Sequence, residues 1–291
     1  MIGIIDRGTI APTVVVLGAT GRAGHGVVEA LVDAGRPVVA VADDAVALQA
    51  LAAAHPAAAL RTLPARIASD ADAALLASRL RASGVAIDGV VAGLSGEHAC
   101  GRLIDEPADV LQRALDEDLL PHLFAARHLL PLLEPGAGGY VLVGGAGGTY
   151  PWAGYGHCSI AAAALRMMAR VLHDEAARHG LRVQLLSLDA PLRADAAAAR
   201  SGRASAQALA LGRRALALLD GGHAATAQPI VRFSAVDLPM HAMNPVPARV
   251  ARRRDVAAGQ VLPARDLHAA RALLDSIASP TPPGHFLDEH C

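Results

Sequence analysis

Between residues 13 and 233, short β-rich apolar runs alternate with longer Ala- and Leu-rich stretches, each closed by Gly, Pro or a charged turn. The runs at 13–17, 38–42, 86–92, 140–143, 182–187 and 229–233 predict strands, and 60–67 predicts a weaker one. They are apolar almost throughout rather than alternating with polar positions. Such strands are buried on both faces, as in a parallel sheet covered by helices on each side. Helices are predicted over 23–34, 71–83, 110–133, 160–179 and 206–219. The chain therefore reads as one α/β domain over 1–233, a doubly wound parallel sheet with helices on both faces. From residue 234 the pattern changes: Pro239, Pro245, Pro247 and Pro263 break up any long element. One helix, 266–279, is predicted within this Pro-rich C-terminal extension of 234–291.

Composition narrows the chemistry. All 26 residues counted as Lys+Arg are arginine, so the chain has no primary amine on a side chain. Schiff-base catalysis and a phosphate-loop lysine are excluded, as is any tyrosine whose pKa is lowered by lysine. Asparagine is nearly as scarce, with only Asn244. No uninterrupted apolar stretch approaches the roughly 18 residues of a membrane helix. Residues 1–12 carry Asp6 and Arg7 and lack the layout of a secretory signal, so a soluble, cytoplasmic protein is expected. Cys100, Cys158 and Cys291 are far apart, without CxxC or paired-His spacing, and neither a disulfide framework nor a metal site is expected. A formal net charge of -1 offers no basic field for nucleic acid.

The first predicted strand runs into Gly18-Ala-Thr-Gly21-Arg-Ala-Gly24-His-Gly26 and then a helix. Glycines at this spacing let the backbone turn tightly against a pyrophosphate, whose charge is met by the N–H groups of the helix N-terminus. Gly18, Gly21 and Gly24 are expected under the pyrophosphate, and Thr20, Arg22, Ala23 and, at the end of the predicted fourth strand, Ala92 and Gly93 are further candidate cofactor contacts. Asp43 ends the second strand, where a carboxylate accepts both ribose hydroxyls and repels a 2′-phosphate, favouring NAD over NADP. Arg22 points the other way, because a guanidinium beside the glycine turn pairs with a 2′-phosphate.

Taken together, 13–233 resembles the short-chain dehydrogenase/reductase family, whose fold is Rossmann-like. The glycine turn has the GATGxxG form of its extended and atypical members. Asp88-Gly-Val-Val-Ala-Gly is similar to the strand before the family's Asn-Asn-Ala-Gly motif, and Gly139-Tyr-Val-Leu-Val-Gly-Gly to the strand ending in its catalytic serine. The helix 161–178 followed by Gly180-Leu-Arg-Val is similar to the active-site helix and next strand, and Thr226-Ala-Gln-Pro-Ile-Val to the last strand. Aligned on Glu175 and Gly180-Leu-Arg-Val, the resemblance carries the tyrosine onto Cys158, the lysine onto Ala162, the serine onto Gly145 and the asparagine onto Asp118. Ala92-Gly93-Leu94-Ser95 and Leu188-Asp189 stand where Asn-Asn-Ala-Gly and a Pro-Gly pair are expected. In the family, tyrosine exchanges the carbonyl proton, lysine lowers its pKa, serine holds the oxygen and asparagine anchors a water relay.

Three readings follow from that substitution pattern. The first is a dinucleotide-binding protein without standard ketoreductase activity, acting as a binding, regulatory or partner subunit of an oxidoreductase system. The second is a lyase, isomerase or dehydratase with acid/base chemistry from Asp118, His157 or Tyr155. The third is a divergent NAD(P)H-dependent carbonyl reductase in which Tyr155 takes over the proton transfer. Cys158 is a candidate acid or nucleophile but, with no cation in sequence nearby, is expected to be a small buried side chain. His157 is expected at the surface, and Arg166, Arg170, Glu175 and Arg178 as exposed helix charges. The resemblance further implies a homo-oligomer, or a hetero-oligomer with an active family member, joined through the helices 110–133 and 160–179.

Overall fold

Seven strands, β1 (Thr13–Leu17), β2 (Val38–Ala42), β3 (Leu60–Pro64), β4 (Ile87–Ala92), β5 (Gly139–Gly144), β6 (Arg182–Leu188) and β7 (Ile230–Phe233), form one sheet in the order β3-β2-β1-β4-β5-β6-β7. Every neighbouring pair is parallel. The order reverses between β1 and β4, which opens a crevice at the C-terminal ends of those strands. The computed structural model describes residues 12–136, 139–145, 147–193, 195, 202–221 and 228–234. The extension 234–291 and its predicted helix 266–279 lie, after Ser234, outside the described residues.

Strand periodicity sorts the core into two layers. Val15, Leu17, Val90, Tyr140, Leu142 and Leu185 point to one face of the sheet. There they meet Leu76 and Leu80 of α3 (Asp70–Ala82), Leu129 of α5 (Leu120–Leu129) and Leu165 of α6 (Gly156–Ala177). Their neighbours Val14, Val16, Val91, Val141 and Leu186 face the other way. On that side lie Val27 and Leu31 of α1 (Arg22–Asp33), Leu48 and Leu51 of α2 (Ala45–Ala54), and Leu211 and Ala215 of α7 (Ala206–Asp220). Each buried Val or Leu contributes roughly 1.5–3 kcal/mol, so a polar residue at any of these strand positions is costly on either side. α1 and α7 cross backbone to backbone: a Cβ on Gly26 would lie 2.0 Å from the Ala208 carbonyl oxygen, and one on Gly212 2.1 Å from that of Gly26.

Several expectations are corrected. The single helix predicted over 110–133 is two, α4 (Ala108–Asp118) and α5, followed by a 3-10 turn at Leu130–Leu132. Leu119 takes φ -116 and ψ -60 between them, and Pro121, which has no N–H to donate, sits in the first turn of α5. The weak strand 60–67 stops at Pro64. α2 was not among the predicted helices: AVALQALAAA is apolar nearly all round and shows no amphipathic stripe.

Candidate functional site

The glycine turn is built by close backbone approach. Gly18 has φ +69, and a Cβ there would lie 2.2 Å from the Gly93 carbonyl oxygen, so the ends of β1 and β4 touch directly. A Cβ on Gly24 would lie 2.1 Å from the Gly18 oxygen, which seats α1 against the turn. Gly21 precedes α1 without a side-chain cap, leaving the first-turn amides open for an anion. In front of them is a cavity of about 510 Å³ whose wall includes Gly18, Thr20, Gly21, Asp43, Arg66 and Gly93. Asp44 is spent elsewhere, accepting from the Val46 and Ala47 amides at 2.9 Å as the cap of α2. Of the pair, Asp43 alone lines this wall, and its carboxylate has no hydrogen-bond partner among the described residues. Arg22 and Ala23 line a second, adjoining cavity instead, Ala92 is buried in β4, and Gly24 lines neither.

That second cavity, of about 500 Å³, shares Thr20, Gly21 and Gly93 to Glu97 with the first. Asp118, Gly145, Cys158 and Ala162 all lie on its wall. They come from the end of α4, the residue after β5, and two positions one turn apart on α6. Asp118 accepts from the Gly96 amide at 2.8 Å through Oδ1, while its Oδ2 lies 2.9 Å from His98 Nε2. At 18% side-chain exposure it is neither a free solvated charge nor without partners.

The loop after β4 is pinned at three points. Buried His122 of α5 donates from Nε2 to the Leu94 carbonyl at 2.9 Å, Asp118 holds Gly96, and the Gly101 amide donates to the Gly154 carbonyl at 2.8 Å. These ties carry His98 across to α6, where its ring meets that of His157 edge to face, centroids 5.6 Å apart. His157, expected at the surface, is 1% exposed, because it is the second residue of α6 and faces inward under that loop. Its position in a Gly-rich segment gave no hint of this.

The titratable groups are tuned away from activation. Burial, helped by the Asp118 charge, raises the Cys158 thiol to about 11, so it is a protonated thiol at neutral pH. Tyr155 does not line the cavity. Its ring packs against Trp152 and His157, and burial together with a hydrogen bond involving Cys100 raises its pKa. Burial drives His122 down to about 4, so it is neutral and its Nε2–H holds Leu94. Arg166, expected to be exposed, is half-buried and donates to Ser187 Oγ at 2.9 Å. One turn beyond Ala162, its guanidinium is drawn toward β6 rather than into the cavity. No helix among the described residues is long and apolar enough to cross a membrane.

A family model described as Enoyl-(Acyl carrier protein) reductase matches residues 18–225, most of the chain, which belongs to the short-chain dehydrogenase/reductase family. No curated protein matches it. Among solved structures, the Pseudomonas aeruginosa RhlG/NADP active-site complex is 19% identical with a TM-score of 0.64, over 78% of this chain and 95% of that one. A short chain oxidoreductase from P. aeruginosa PAO1, described as NADPH-bound and containing an atypical catalytic center, is 20% identical with a TM-score of 0.66, over 79% and 98%. A Burkholderia cenocepacia short chain dehydrogenase in complex with NADP is 19% identical with a TM-score of 0.63, over 77% and 96%. At these identities the likeness is one of fold.

Proposed function

We propose that this member of the short-chain dehydrogenase/reductase family binds a nicotinamide dinucleotide, NAD(H) in preference to NADP(H), without the tyrosine–lysine proton relay of the family's carbonyl reductases. It acts as a binding or regulatory subunit. The observation that carries the reading is the shared cavity wall of Asp118, Gly145, Cys158 and Ala162, in a chain with no lysine to recruit from elsewhere. A carboxylate, a bare backbone, a protonated thiol and a methyl group stand where the resemblance expects asparagine, serine, tyrosine and lysine. With no phenol to neutralise the developing alkoxide, carbonyl reduction loses a contribution of about 100- to 10,000-fold. Dinucleotide binding is supported by the open amides of α1 and by the NADP carried by the RhlG and B. cenocepacia structures. The preference for NAD rests on Asp43 at the first cavity, with Arg22 directed to the second.

The same reading includes association through the segments 110–133 (α4 and α5) and 160–179 (α6), where Leu123, Ile160, Met167 and Val171 are exposed. Light scattering on the purified chain should give a mass above one chain; a monomer at micromolar concentration removes this part.

The decisive experiment compares the wild type with a Gly145→Ser/Cys158→Tyr/Ala162→Lys variant. Among the described residues beyond its chain neighbours, no atom lies within 4 Å of a Cβ added at Gly145. The wild type should bind NADH by calorimetry yet oxidise it slowly with any ketone or aldehyde, and the variant should be faster. Brisk wild-type turnover abolished by Tyr155→Phe would mean that a displaced tyrosine carries the reaction. No binding of either dinucleotide would reject the cofactor reading.

A further inference from the structure

Beside the cleft the fold brings His98 and His157, which the dinucleotide reading does not use, up to Cys158 on the cavity wall. One ligand-capable atom from each of His98, His157 and Cys158 lies within 4.8 Å of the other two. His157 is 1% exposed, and neither of its ring nitrogens has a hydrogen-bond partner among the described residues. Each buried polar atom left unpaired costs roughly 1–3 kcal/mol, so an inward-facing imidazole with both nitrogens free is an expensive arrangement unless something engages it. His98 Nε2 is also buried; it makes an ion-pair contact with Asp118 Oδ2 at 2.9 Å but no hydrogen bond among the described residues. Both imidazoles thus hold a buried ring nitrogen without a hydrogen-bond partner in the same cluster as the Cys158 sulfur.

The surroundings agree. Glu97, Glu106 and Glu117 line a cavity of about 120 Å³ together with His98 and His157, and outnumber Arg113 on its wall. Cys158 faces the larger cavity on the other side. The three donors thus sit between an acidic pocket and the cleft.

We propose that His98, His157 and Cys158 form a binding site for a divalent transition-metal ion of the zinc class, with its fourth position open toward the cleft. Two imidazoles and a thiolate are a borderline-soft set that suits Zn²⁺ or Co²⁺ and not Mg²⁺ or Ca²⁺. Metal–ligand bonds of roughly 2.0–2.3 Å place tetrahedral ligand atoms about 3.3–3.7 Å apart, so the donors close by about 1 Å through side-chain rotation. On binding, the Cys158 S–H bond breaks, its proton leaves to solvent, and the sulfur lone pair forms the bond to the metal; both imidazoles bind neutral. Asp118, beside His98, then compensates the ion's charge. The inference needs no bound dinucleotide: His98 and His157 line neither cavity of the cleft, and Cys158 alone is shared with its wall.

The test uses the full chain, stripped with a chelator and titrated with CoCl₂ under reducing conditions. One Co²⁺ per chain should bind, with a near-ultraviolet thiolate-to-cobalt charge-transfer band and visible bands of tetrahedral intensity. Cys158→Ser should abolish the charge-transfer band, and Cys100→Ser should retain it. His98→Gln, in the loop after β4, should weaken binding by at least about 10-fold, the lower bound for losing even a partner of a ligand. A variant-free measurement guards against misfolding: ZnCl₂ should protect Cys158 from iodoacetamide while Cys100, which is exposed, is still labelled. No stoichiometric binding, a charge-transfer band that survives in Cys158→Ser, or Cys158 labelled equally with and without ZnCl₂ would each overturn the site. Loss of NADH binding with metal binding intact would count against the cofactor reading alone.

Discussion

Replacing Asp43 by asparagine isolates the charge on which the choice of dinucleotide depends. Asp44 is committed to the Val46 and Ala47 amides, so Asp43 is the carboxylate of this pair available on the first cavity wall. Asparagine keeps its shape and one acceptor oxygen but loses the charge. For NADH, a charge-assisted hydrogen bond becomes a neutral one, a loss of about 1 kcal/mol or roughly 5-fold in affinity. For NADPH, a repulsion disappears. Two unit charges about 5 Å apart at an effective dielectric near 40, suited to an exposed group, interact by about 1.7 kcal/mol, or roughly 18-fold. The two changes act in opposite directions, so the NADH/NADPH preference should swing by roughly 90-fold. Titrations with both reduced dinucleotides, followed by nicotinamide fluorescence at about 0.15 M salt, read this directly. The NADPH arm should shrink in high salt because the repulsion is screened. A preference that moves by less than about 3-fold, or a wild type that already favours NADPH, would place Asp43 away from the ribose and refute the reasoning.

Three further outcomes test the scaffold. His122 has its pKa lowered from 6.5 to about 4 by burial, so between those values the unfolded chain binds a proton that the folded one does not. Its contribution is therefore full above pH 6.5 and declines as pH falls toward 4, by about 2 kcal/mol at pH 5. His122→Gln keeps a donor for Leu94 without titrating, and its Tm should fall less than the wild type's between pH 7.5 and 5; parallel curves would show that His122 is not the titrating group. Gly26→Ala pushes a methyl to within 2.0 Å of the Ala208 oxygen and should cost about 1–3 kcal/mol in urea unfolding, and an unchanged midpoint would mean that α1 and α7 are not in backbone contact. Gly145→Ala, whose added Cβ meets no described atom within 4 Å beyond its chain neighbours, should leave the same midpoint unmoved; a large loss would mean that the cavity is closed in solution.

The scaffold was legible because its signals are local. An apolar strand such as Thr13–Leu17 followed by Gly18 and Gly21 states both the buried position and the turn that ends it. The position of Asp43 on the first cavity wall was legible for the same reason, one residue past a strand end. Local signals mislead where two elements run together. The apolar pattern of α4 and α5 continues through Leu119, and Pro121 sits where a new helix begins. α2 failed for the opposite reason: a segment nearly all Ala and Leu has no face to detect.

His98 shows what lies beyond local reading. It sits in a segment without regular structure, 59 residues before His157 and four after Leu94, and no spacing rule links it to either. Its position follows from three ties made by other elements: His122 on Leu94, Asp118 on Gly96, and Gly154 on Gly101. Two of those residues project from the helical segments on either side of the Leu119 break, the feature that the apolar pattern concealed. Had that stretch run on as one straight helix, the geometry relating Asp118 to His122 would differ, and with it the course of the loop they hold. The break in the helix thus shapes one structural event, the meeting of the two histidines, through two of its three ties. The chemistry available to Cys158 depends on that event, because at its own position the sequence offers only a thiol without a neighbouring cation.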